Sequence, residues 1–410
     1  MTVLESIISP MNQILTLISA GESETVEFKR EIERAERLAR EVVALANGRG
    51  GHVLVGVDDD GTVCGVSLRP GYEAWVMQVG AETIQPPLML ECQAVQVEDK
   101  TVLAISVPLG PFKPYTVKQG QHKSTAYVRH GSISTIASVE EIGRLYQESG
   151  QVRFDQSPVF GSTPDDLSKE LIAAYLRRVR GVELADLSIP LNNWLLNLKA
   201  LVQQNGELLA TVAGMLLFGQ EPGRFLPQVG LRLARFKGLE LRNDRLIDRQ
   251  ELDVALPEAI DAATQFVARH SNMAARIEGV QREDIPEYLP PVVREALTNA
   301  VMHRDYARSA NVRVFVFDDR LEVRSPGCLP NGVRLELLPF GVQGVRNPSV
   351  AYFLRAMRYG EGFGTGIATM LRRYEKVGIR LPLFQEVGED FWVTVYSREY
   401  EKFHPLTTAS

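Results

Sequence analysis

Glu295, Asn299 and His303 recur at i, i+4 and i+8, which on a helix stacks an acid, an amide and an imidazole along one face. A polar stripe of this kind on a half-buried helix is costly unless a ligand uses it. Magnesium suits it, because that ion prefers oxygen ligands and bridges a few protein groups to nucleotide phosphates. The carboxylate of Glu295, one turn before Asn299, is placed to orient a water toward a terminal phosphate. The same spacing also fits a surface helix with scattered polar residues, or an asparagine satisfied by neighbouring backbone.

The stripe needs a helix to carry it, and Pro291–Tyr306 supplies one. Pro290 and Pro291 stand where a helix start tolerates proline, and good helix formers follow without a break. Val293, Ala296, Leu297, Ala300 and Val301 recur on the opposite side, as packing against a sheet requires. From about Leu256 to Arg398 the order reads helix, stripe helix, strands at Val312–Phe317 and Arg320–Ser325, a loop, a helix, a glycine loop, a helix and a strand at Phe391–Tyr396. Helices on one face of a mixed sheet accommodate that order. Upstream, Val229–Phe236 alternates as a strand, and Leu256–His270 and Asp165–Arg178 read as helices. Near the start, an amphipathic helix runs to Gly21, a strand spans Glu22–Lys29 and a helix spans Glu33–Ala46. The glycines of Asn47-Gly-Arg-Gly-Gly51 stop that helix. Further strands read at His52–Val57, Leu90–Val97, Val102–Val107 and Ala126–Arg129.

Length and composition bound the answer. The 410 residues suffice for two or three domains, each with its own core. A formal net charge of −6 argues against a uniformly basic nucleic-acid coat but leaves room for a local patch. Cys64, Cys92 and Cys328 lie far apart with no CxxC pattern, which excludes a disulfide framework or a structural zinc site and predicts a reducing, cytoplasmic setting. No apolar run reaches membrane-spanning length, and Pro10 interrupts the N-terminal one, so neither a membrane anchor nor a signal peptide is expected. The expected class is α+β, divided into 1–150, a helical, winged-helix-like connector at 151–255, and 256–410.

With these residues in view, the C-terminal part resembles the GHKL class of ATPases, and its implied fold is an α/β sandwich. Arg294-Glu-Ala-Leu-Thr-Asn-Ala-Val-Met-His303 is similar to that class's N-box. The resemblance implies a magnesium-chelating role for Asn299, a general-base role for Glu295 and a place for His303 in the nucleotide site. Gly360-Glu-Gly-Phe-Gly-Thr-Gly366 is similar to a glycine box, so Gly362, Gly364, Thr365 and Gly366 would cover phosphates with backbone amides. His303-Arg-Asp-Tyr306, Ser325-Pro-Gly327, Arg346-Asn-Pro348 and Gly364-Thr-Gly366 together resemble a divergent subgroup of bacterial transcriptional regulators. Where the class reads adenine through Asp-x-Gly-x-Gly, this chain has Arg324-Ser-Pro-Gly-Cys-Leu-Pro330, with Gly327 in the loop and Asp318 or Asp319 as substitutes for the aspartate.

The N-terminal part resembles the AlbA-like domain shared with Schlafen proteins, through Glu22-Ser-Glu-Thr-Val-Glu-Phe-Lys29, Ala46-Asn-Gly-Arg-Gly-Gly51, Val55-Gly-Val-Asp58 and Tyr127-Val-Arg-His-Gly131. That resemblance implies nucleic-acid binding, to DNA or RNA. Its nuclease-active members imply a magnesium or manganese site from Glu22, Glu27 and Asp58, with Lys29 stabilising the transition state. Lys113, Lys118, Lys123 and Arg129, with Tyr115 to stack, form a candidate phosphate-tracking patch, and a lysine-guarded edge hairpin fits equally. The combined expectation is an ATP- and nucleic-acid-binding regulator, a homo-oligomer by resemblance. The alternative is an ATP-gated, metal-dependent endonuclease.

Overall fold

The computed structural model describes residues 10–67, 70–120, 123–227, 229–278, 281–330, 333–342, 344–360 and 364–404, with backbone only over 273–284. Gly362 and residues 1–9 of the expected first helix lie outside the described residues. The chain divides between Val152 and Arg153 into two compact α+β units.

In the first unit a four-stranded sheet runs in the order Val26–Lys29, Gly51–Val55, Lys100–Val107, Glu91–Val97, with only the first pair parallel. The helix Ala35–Asn47 covers one face, packing Leu38, Val42 and Leu45 with Val53, Val55 and Ile105. The helix Pro10–Ala20 covers part of the other, where Ile14 shares a cluster with Phe28, Leu54 and Val102. The glycines after Ala35–Asn47 are required by close approach. Gly51 has φ +142°, and a Cβ there would sit 2.0 Å from the Thr25 carbonyl oxygen. A second, antiparallel sheet is built from Ile84–Gln85, Thr116–Gln119, Lys123–His130 and Ile133–Ile136. Buried Asn47 joins helix to sheet: its Nδ2 donates to the carbonyls of Tyr115 and Tyr127, and its Oδ1 accepts from the Tyr115 amide.

The second unit is organised around a six-stranded sheet in the order Leu246–Leu252, Leu231–Phe236, Val312–Val316, Arg320–Pro326, Asp390–Tyr396, Leu383–Val387. The pair Leu231–Phe236 with Val312–Val316 is parallel, and the other pairs are antiparallel. Its two first strands come from the segment 151–255, so that segment supplies part of the sheet rather than only a connection. Helices Leu256–Arg269 and Pro290–Met302 share one buried core with Leu233, Val314, Val323 and Val395 of the sheet. Helices Lys169–Arg180 and Val212–Phe218 add Tyr175 and Phe218 to the same core, where both rings meet Phe353 edge-on. No helix among the described residues is long and apolar enough to cross a membrane.

Candidate functional site

The stripe helix spans Pro290–Met302, with prolines at its start and His303 as its C-cap residue. Val293, Ala296, Leu297 and Val301 are buried in the core, as the apolar spacing requires. Glu295, Asn299 and His303 all line one pocket. The structure thus brings the three spaced residues to a single cavity. At its far wall stand Gly364 and Gly366, the latter beginning the helix Gly366–Lys376, while Gly327 and Ser325 close it from the end of a central strand. Thr365 is the N-cap of that helix but makes no side-chain cap.

Glu295 sits against this helix start. A Cβ on Gly366 would lie 1.8 Å from Glu295 Oε1, so only glycine lets the carboxylate reach the positive end of the helix. Asn299 Nδ2 donates to Glu295 Oε1 at 3.0 Å, which leaves the amide oxygen of Asn299 as a hard donor. Glu295 is the only carboxylate among the described lining residues, and Arg355 adds a guanidinium. At the other end of the stripe, burial holds the His303 imidazole well below its usual range, at about 4. The guanidinium groups of Arg346 and Arg355 push the same way, and a hydrogen bond with the Gly344 backbone opposes them. His303 Nδ1 is buried with no hydrogen-bond partner.

The motif Arg346-Asn-Pro348 holds this pocket in shape. Asn347 Nδ2 donates to the carbonyls of Met302 and Arg304, and Arg346 donates to those of His303 and Cys328. These bonds satisfy carbonyls that the C-terminus of the stripe helix leaves open. The following helix, Pro348–Ala356, is capped from outside by Asp155, whose Oδ2 accepts from the amides of Ser349 and Val350. In His303-Arg-Asp-Tyr306 only the histidine lines the pocket. Arg304 donates to the carbonyls of Arg308 and Ala310, and Tyr306 donates to that of Val301.

Asp318 does not replace the missing base-reading aspartate. Its carboxylate accepts from the Gly238 amide and pairs with Arg235, away from the pocket lining. Asp319 is buried in pairs with Arg320 and His404.

The N-terminal candidates fare differently. Glu22 accepts from the Phe28 amide, Glu27 pairs with Lys29 and Arg129, and Asp58 lies 3.7 Å from Arg30. Glu27 is buried, so two cations already neutralise it, and a third carboxylate does not converge on it. No group of three or more His, Cys, Asp or Glu among the described residues is placed to hold a metal. The expected acidic cluster is therefore not assembled among the described residues. The expected patch is corrected as well. Lys113 is 1% exposed and donates to Glu148 and the Gly48 carbonyl, Tyr115 is 1% exposed, and the Arg129 side chain is 1% exposed. Lys118 reaches back to the Glu82 carbonyl, which leaves Lys123 as the exposed member.

Comparison with known proteins agrees with this two-part division. Residues 22–138 match the family described as Schlafen, AlbA_2, and residues 309–395 match the one described as putative ATP-dependent DNA helicase recG C-terminal. An AlbA_2-type domain precedes a recG-C-terminal-type one. The second match holds Gly327, Gly364 and Gly366 but begins after the stripe helix, so Glu295, Asn299 and His303 join the site through the fold. A crystal structure from Corynebacterium diphtheriae is similar at 24% identity over 94% of this chain and 79% of that one, with a TM-score of 0.49. The solution structure of the N-terminal domain of a putative ATP-dependent DNA helicase RecG-related protein from Nitrosomonas europaea is similar at 27% identity. It covers 32% of this chain and 95% of that one, with a TM-score of 0.25. No curated protein matches the sequence.

Sequence reasoning missed three features around this pocket. Arg355 sits on a helix read only as an element, the Asp155 cap comes from a segment read as linker, and Leu338, in the 3-10 turn Leu335–Phe340, and Val342 add apolar walls from a segment read as a loop. The signal for the Asp155 cap was absent, since 194 residues separate it from its partner.

Proposed function

We propose that this protein binds a nucleoside triphosphate with a divalent cation in the pocket of the second unit, and that occupancy there controls nucleic-acid binding by the AlbA_2-type unit. The observation that carries the reading is the convergence of Glu295, Asn299 and the start of Gly366–Lys376 on one apolar-walled pocket. A helix start offers backbone amides and positive potential to phosphate oxygens. The donor set fits a magnesium-like ion: Asn299 and Glu295 give hard oxygens, too few for an all-protein cage but suited to an ion that completes its shell with phosphates and water. When bound, such an ion would neutralise phosphate charge. The chain's own part is to position it: Asn299 fixes the amide oxygen, and Gly366 keeps Glu295 at the phosphate end.

The families named for the two segments, Schlafen AlbA_2 and an ATP-dependent helicase C-terminal region, support a nucleotide- and nucleic-acid-related role. Control of one unit by the other requires that the nucleotide favour one state over another. The test is affinity for labelled DNA and RNA with and without a non-hydrolysable ATP analogue, beside Asn299→Ala. The proposal expects an analogue-dependent change in nucleic-acid affinity that Asn299→Ala removes. Equal affinities with the analogue demonstrably bound would remove the control and leave the nucleotide site.

A further inference from the structure

Among the described residues lining the second unit's pocket no aspartate stands to accept a base's amino group, yet the pocket holds an acceptor of another kind. Val323, Leu329, Val333, Ile367, Phe391 and Val393 make the walls apolar, as a planar heterocycle needs. Among the polar lining atoms, His303 Nδ1 is buried and has no hydrogen-bond partner, a state that costs free energy until a ligand supplies one. Arg346 grips the His303 carbonyl, and the His303 amide donates to the Asn299 carbonyl, so the ring is carried on a fixed backbone.

Nδ1 has no partner inside the protein, so the neutral ring that carries its proton on the other nitrogen leaves Nδ1 open to accept from a ligand. Nδ1 presents a lone pair, and the neighbouring guanidinium groups disfavour a second proton on the ring. Position agrees with this chemistry. His303 stands eight positions after Glu295, a rise of about 12 Å along the helix. Base and outer phosphates of an extended nucleoside triphosphate lie a comparable distance apart.

We infer that His303 Nδ1 accepts a hydrogen bond from the exocyclic amine of the bound nucleotide's base, and so selects adenine over bases that carry an oxygen at that place. The inference rests on the nucleotide-binding reading above. Adenine offers N6–H to the lone pair, whereas hypoxanthine and guanine turn a carbonyl oxygen toward it. Two facing acceptors repel, and the buried nitrogen stays unpaired.

The test is equilibrium titration of the full-length protein with ATP, ITP and GTP in the presence of magnesium, repeated on His303→Asn and His303→Ala. Wild type is expected to bind ATP about tenfold or more tightly than ITP or GTP, the scale of one buried hydrogen bond in a site built for it. His303→Asn, which keeps an acceptor near Nδ1, retains an ATP preference. His303→Ala brings the ATP-to-ITP affinity ratio toward one, by weakening ATP and relieving the repulsion with ITP, a pattern that general damage to the fold would not give. Equal wild-type affinities for ATP and ITP would overturn the inference and leave nucleotide binding standing. An unchanged ATP-to-ITP ratio in His303→Ala would also overturn it. Absence of binding by every nucleotide would overturn the function proposed above along with it.

Discussion

The two units each hold a carboxylate next to polar neighbours, buried in the first and half-buried in the second, and they finish the job differently. In the first unit Glu27 is closed off: Lys29 and Arg129 neutralise it, and Arg129 also donates to the carbonyls of Ser23 and Val26 and to the Ser134 hydroxyl. In the second unit Glu295 accepts from Asn299 and stands at a helix start, while His303 leaves a buried nitrogen unpartnered in the same cavity. A closed network is a structural device, because a ligand would have to break it. An unfinished one on a cavity wall is a site, because a ligand completes it. Residue type alone does not separate the two cases; a buried polar atom left unpartnered on the cavity wall does.

Breaking the closed network should have the largest effect. Arg129→Ala leaves buried Glu27 with Lys29 alone and strips the carbonyls that Arg129 bonds, and the first unit should lose about 3–5 kcal/mol, read by denaturant unfolding. A loss below about 1 kcal/mol would mean the network is open to water and the contrast between the units is false.

Gly366→Ala attacks the other side of the comparison. Its Cβ would displace the Glu295 carboxylate, so nucleotide affinity should fall at least about tenfold while the first unit's unfolding stays as it was. Unchanged affinity in a titration would detach Glu295 and the helix start from the site.

Next in size is a pH effect at His303. Its folded value, about 4, lies below the usual 6.5, so the unfolded chain takes up a proton that the folded chain refuses. Stability should therefore fall as pH drops from about 6.5 toward 4, by up to about 1.4 kcal/mol per pH unit from this group. The His303→Asn variant should lose that part of the slope; identical slopes would place the ring in water.

The smallest effect sharpens the correction to the basic patch. Exposed Lys123→Ala should change stability by no more than about 0.5 kcal/mol, whereas Lys113→Ala, which unpairs Glu148, should cost several times that. Thermal melts of the two variants separate these cases.

The same contrast explains what the sequence could tell. The stripe helix was legible because its spacing, its proline start and its apolar side are local, and local periodicity survives folding. Ala35–Asn47, Leu256–Arg269 and the central strands were legible for the same reason. The first unit's carboxylates were misread because the deciding partner, Arg129, stands 102 residues after Glu27. Lys113 looked like a surface lysine for a similar reason, its partner Glu148 lying 35 residues on in a helix. The role of Arg346-Asn347 as a clasp on the end of the stripe helix was likewise invisible, because no local pattern shows which carbonyls a helix leaves open to a distant side chain.

The most direct test of the account is calorimetric titration of the full-length protein with a non-hydrolysable ATP analogue, with and without magnesium, beside Asn299→Ala. The account predicts saturable binding that strengthens with the cation and is lost or sharply weakened in Asn299→Ala. No binding, or binding that neither the cation nor the substitution alters, would contradict it.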